Sequence, residues 1–152
     1  MQPLFILVGT FILVLVVARI IKKSWQPYLA GKLGMSIMLV FTASGHFLFP
    51  DGMALMLPES IPFRKEIIYA TGVIELAAAV GILVPRLQRL TGWVLIIFFI
   101  SILPANIYAA MHRVNLQTAS YDGKGLEYLW FRIPLQILFI AWVYYFVIGK
   151  KK

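Results

Sequence analysis

The chain has 152 residues, 61% apolar and only 13% charged, with a mean hydropathy of +0.88. Soluble domains are about 45–50% apolar and about 25% charged, which excludes a water-soluble globular domain and a disordered chain. The absence of Cys excludes a disulfide scaffold, a thiol redox enzyme and a cysteine zinc site. A formal net charge of +8, in a chain of long apolar runs, marks the cytoplasmic edges of membrane spans and not a nucleic-acid partner.

A bilayer core needs about 20 apolar helical residues, and five stretches meet that requirement. The first runs from Pro3 to Ile21. No basic residue precedes it, no small-x-small cleavage site follows it, and Arg19, Lys22 and Lys23 close it. That pattern predicts a retained helix with its amino end outside, not a signal peptide. The second stretch, Leu29 to Phe49, stops at Pro50. The connection from Pro50 to Lys65 is too apolar for a free loop: Met53, Met56 and Leu57 share one helical face, predicting a short interfacial helix. With Pro50, Pro58 and Pro62 limiting its conformations, it is expected to form rigid pieces that either cover the polar mouth as a lid or rest on lipid beside the bundle. The third stretch runs from Ile67 to Val84 before Pro85, and the fourth from Leu90 to Met111. A polar connection with an Asp122-Gly123 turn leads to the fifth, Leu129 to Ile148.

Alternate ends of these stretches collect Arg19, Lys22, Lys23, Lys32, Arg86, Arg89 and Lys150 to Lys152, with no acidic residue. The opposite ends mix Arg64, Lys65, Arg113 and Lys124 with Asp51, Glu59, Glu66, Asp122 and Glu127. The positive-inside rule then puts the amino terminus outside and the carboxyl terminus in the cytoplasm. The expected fold is an all-α integral membrane protein. A four-helix transmembrane bundle over residues 24–152 is joined by an N-terminal fifth transmembrane helix, residues 1–23, at its periphery.

Six polar residues inside the spans stand out as site candidates, since a charge there costs about 2.5–3.5 kcal/mol even on insertion scales. Thr42 and His46 share a face of the second span, Glu75 sits in the third, Asn106 follows Pro104 in the fourth, and Arg132 and Gln136 share a face of the fifth. All six fall in the outer half of the membrane, and small residues (Gly45, Gly72, Ala78, Ala79) accompany them as at close helix seams. Each has a plainer role beside that of ligand contact. Glu75 and Arg132, expected to touch directly or through one bridging group, either line a ligand site or form an ion pair fixing helix register. Asn106 either faces the site or satisfies carbonyls freed by Pro104. His46 either faces it or caps its helix against Asp51 or lipid headgroups. Thr42 and Gln136 either contact ligand or serve as interhelical hydrogen-bond glue. No metal site is expected, because only His46 and His112 are available at no ligand spacing.

The run Thr42-Ala-Ser-Gly-His-Phe-Leu-Phe-Pro50 resembles the first core helix of the DoxX family of small bacterial membrane proteins. The segments Tyr69–Glu75, Gly81–Arg86, Leu103–Tyr108 and Trp130–Gln136 are similar to further DoxX motifs in the family's order, so that the resemblance extends from Gly31 to Ile148. It implies a four-helix membrane core with these polar residues facing inward, located in the bacterial inner membrane. It also implies a role as accessory subunit of a quinone-linked oxidoreductase or of a membrane stress complex. The functional expectation is therefore a membrane binding protein whose polar mouth holds a quinone or other lipid-like molecule, alongside redox-complex subunits as partners. The alternatives are an enzyme using Glu75 or His46 as general acid/base, and a structural assembly factor.

Overall fold

The computed structural model describes residues 2–149; the expectation placed on Lys150 to Lys152 lies outside the described residues. The regular structure is helical: α1 (Gln2–Lys22), α2 (Pro27–Leu48), α3 (Pro50–Ala54), α4 (Arg64–Gly81), α5 (Gln88–Ser101), α6 (Leu103–Met111) and α7 (Glu127–Trp142). A π-helical turn, Val143–Ile148, continues α7, closed by Gly149 N–H donating to the Tyr144 carbonyl five residues back at 2.8 Å.

Among the described residues, four helical stretches are long and apolar enough to cross a membrane: Gln2–Lys22, Pro27–Leu48, Gln88–Met111 and Glu127–Ile148. The third of these is α5 and α6 together, broken at Ile102 just before Pro104. Five had been expected. The stretch that drops out is α4, which spans only 18 residues and carries Arg64, Lys65, Glu66 and Glu75. Its helix begins three residues before Ile67 and stops at Gly81, so charge replaces apolar length at one end.

The core lies between α2, α4, α5 and α7 and includes Met35, Leu39, Ile82, Leu95 and Val143. Leu7 of α1 is fully buried in the same cluster, while Phe5, Leu13, Ile20 and Ile21 of that helix are exposed. The helix at the periphery thus drives one side chain into the centre. Helices α2 and α4 run in close contact because Gly72 offers no side chain: a Cβ there would stand 2.9 Å from the His46 Cβ. Ser36 Oγ donates to the Ala79 carbonyl at 2.7 Å along the same seam.

At the opposite end from Gly72, α5 and α2 both pack on the Val143–Ile148 turn. Gln88 ties that end together by donating to the Val147 carbonyl at 2.7 Å and accepting from Lys32 at 3.2 Å. Near Gly72 the arrangement opens. Helix α2 stays on α4 and α6 stays on α7, but the two pairs hardly touch each other.

Candidate functional site

The gap between the two helix pairs is a cavity of about 570 Å³, and all six sequence-derived candidates line it. That volume falls in the range of about 300–1,000 Å³ usual for small-molecule sites. Its deeper lining is apolar, with Met38, Phe98, Phe99, Leu135 and Phe139.

On the α2–α4 wall, Glu75 is buried and accepts a hydrogen bond from Thr42 Oγ1 at 2.8 Å. The Thr42 hydroxyl has a single proton and also lies 3.1 Å from the Leu39 carbonyl, so the nearer carboxylate is its better acceptor. His46 sets Nε2 at 3.6 Å from the other Glu75 oxygen, while its Nδ1 is 3.1 Å from the Ile68 carbonyl and 3.0 Å from Thr71 Oγ1. His46 therefore does not cap its helix against Asp51, which pairs instead with Lys65 at 2.5 Å.

The α6–α7 wall is organised around Arg132. Its Nε donates to Asn106 Oδ1 at 3.3 Å and its Nη1 to the Tyr128 hydroxyl at 3.0 Å, with the guanidinium 5.6 Å above the Tyr128 ring. Asn106 is buried and turned to Arg132. Gln136, one turn deeper, donates through Nε2 to the Phe99 carbonyl, and its Oε1 is buried without a partner. Phe99 lies in the last turn of α5, where helix carbonyls lose their main-chain donors.

Of the contact expected between Glu75 and Arg132, directly or through one bridging group, the direct form is absent: no described ion pair or hydrogen bond joins them, and no described side chain bonds both. Each side chain instead hydrogen-bonds on its own wall, to residues one helical turn away or on the adjoining helix. Thr71 and Tyr128 were missed in the sequence, although each stands four residues before a charged candidate and so on its face. Gln2 and Pro3 were missed too; the first helix reaches the cavity with its amino end.

Two connections border the cavity. Met53, Met56 and Leu57 line the cavity, as expected of the Pro50–Lys65 segment, but its helix ends at Ala54 and leaves Met56 and Leu57 in the following turn. Gly52 packs its backbone on the Leu116 carbonyl so tightly that no Cβ would fit, and Leu116 and Gln117 of the second connection line the cavity beside it. That connection is held by the Asn115–Ser120 bridge, and by Asp122 accepting from Ser120 at 2.5 Å. Hydrogen bonds from Ser120 first, then Asn115, hold the Asp122 carboxyl below its ordinary value.

Residues 35–147 match the family described as a domain of unknown function, DUF8561. The chain belongs to that family. This corrects the DoxX resemblance, since the match is to DUF8561 and no DoxX match accompanies it. The quoted motifs are short pieces of small residues, helix-ending prolines and single polar groups, which any closely packed helical bundle uses. No curated protein and no solved structure matches the chain.

Proposed function

We propose that this DUF8561 protein is a multi-pass membrane protein that binds a lipid-like amphiphile. The polar head sits among Glu75, Asn106 and Arg132, with Thr42, His46 and Gln136 around it, and the tail lies on the apolar floor. One observation carries the reading: polar side chains from four helices, far apart in sequence, converge on a single cavity whose remaining lining is mostly apolar. A quinone-like isoprenoid belongs to this ligand class. The redox-complex and stress-complex partners, and the bacterial inner membrane, stood on the DoxX resemblance and lose that support.

The charge pattern supports an amino terminus outside and the cavity in the outer half of the bilayer. Because the chain lacks Cys, single-Cys variants test this cleanly. Ser120→Cys should react with an impermeant thiol reagent on intact cells and Arg86→Cys only after lysis; the reverse pattern inverts the topology. For binding, the test is mass spectrometry of small molecules released from the purified protein. An amphiphile at near one per chain supports the reading, and none above a control membrane protein defeats it.

A second reading, acid–base chemistry on the bound molecule, draws on the approach of His46 Nε2 to Glu75 at 3.6 Å. Chemical conversion of the retained molecule, lost in His46→Gln, separates it from binding alone.

A further inference from the structure

We infer that the head of the bound amphiphile is an oxyanion, a carboxylate or phosphate, seated on Arg132 and Asn106. This rests on the binding reading above and assigns the ligand its chemical class. The α6–α7 wall is rich in donors, and none of its described cavity-lining residues is an acid. A guanidinium has five N–H groups; one from Nε goes to Asn106 and one from Nη1 to Tyr128, leaving three. Asn106 spends its oxygen on Arg132, and its amide N–H groups have no partner among the described hydrogen bonds.

Both partners of Arg132 are neutral, and the guanidinium enters no described ion pair. Glu75, the only carboxylate among the described lining residues, is held on the other wall by Thr42 and His46. A cation lining an apolar cavity at this depth is costly while uncompensated. A two-oxygen anion matches the guanidinium fork and accepts the remaining N–H groups together. An alcohol or ketone head leaves the charge unmet, and an ammonium head adds a like charge. Below Arg132, Leu135 and Phe139 continue the apolar lining on the same helix, facing Phe99, which gives the tail its course.

The test uses the full chain in a neutral maltoside detergent and equilibrium dialysis of labelled compounds sharing one dodecyl tail. Dodecanoate and dodecyl phosphate should bind about tenfold or more tighter than dodecanol, and dodecylamine weakest. Inorganic phosphate alone should not displace them; if it does so at equal concentration, the site is one for free anions and the tail is overturned. The preference should vanish in Arg132→Gln. It should vanish as well in Asn106→Asp, which puts a carboxylate against the guanidinium and should keep or raise the unfolding temperature. Equal binding of acid and alcohol by the unmodified chain, or full preference retained in Asn106→Asp, overturns the oxyanion while leaving amphiphile binding intact. Failure of every dodecyl compound to bind takes both down.

Discussion

Glu75 and Arg132 face one cavity from opposite walls and are satisfied separately, Glu75 by Thr42 at 2.8 Å and Arg132 by Asn106 at 3.3 Å. Opposite charges lining one cavity still attract through space, but with no shared hydrogen-bond partner their coupling should stay below that of a bonded pair. In a double-mutant cycle of Glu75→Gln and Arg132→Gln, the interaction energy should be smaller than in the Thr42–Glu75 cycle. Thr42→Val with Glu75→Gln should instead be coupled, since Thr42→Val alone removes a hydrogen bond to a charged group, worth about 1.5–3 kcal/mol. Thermal unfolding in detergent reads both cycles, and strong coupling between Glu75 and Arg132 would mean that the walls close on each other.

This pairing shows what could and could not be read from the residues. Apolar runs and prolines located the helices to within a few residues, and the i, i+4 spacing of Thr42 with His46 and of Arg132 with Gln136 put each pair on one face. Partner choice was not legible, because it depends on which helices are neighbours: Thr42 and Glu75 are 33 residues apart, Asn106 and Arg132 26. Opposite charge at similar depth suggested one pair, whereas the opening between α2–α4 and α6–α7 produced two clusters. The π-helical turn was also hidden, since nothing in Val143-Tyr-Tyr-Phe-Val-Ile148 breaks an α-helical pattern.

The seam between α2 and α4 sets the orientation of the acidic wall. Gly72→Val would push a branched side chain into the His46 Cβ and the Phe47 ring, which stand 2.9 Å and 3.1 Å from the position of a first carbon. Overpacking of this kind costs about 1–3 kcal/mol. A lower unfolding temperature is expected, together with loss of the His46–Glu75 approach. An unchanged unfolding temperature would show that the helices separate there without cost.

The mouth is expected to govern exchange rather than affinity. Gly52→Val cannot keep its contact with the Leu116 carbonyl, so the Pro50–Lys65 segment should lift while the core remains folded. Release of a bound labelled amphiphile should speed up several-fold with little change in unfolding temperature. Unaltered release kinetics would make the segment a surface anchor without gating effect.

The second connection carries an acid-sensitive clasp. Because hydrogen bonds hold the Asp122 carboxyl below 3.8, its contribution is present above that value and is lost as the pH falls through the lower, folded-state value. Amide protection over residues 113–126, exchange measured against the intrinsic rate at each pH, should therefore fall in acid below the ordinary carboxylate range and stay level from neutral pH upward. Asp122→Asn should exchange fast throughout; a loop equally protected in that variant would remove the carboxylate from the account.

The central claim is that the cavity is a binding site, and the most direct measurement is native mass spectrometry of the chain beside a version whose cavity is filled. Ala105 lines the cavity on α6 and is only partly buried, so Ala105→Phe should occupy the space without disrupting the bundle. The account predicts a bound amphiphile near one per chain for the unmodified protein and its loss in Ala105→Phe at an unchanged unfolding temperature. Identical spectra for the two folded proteins would contradict it.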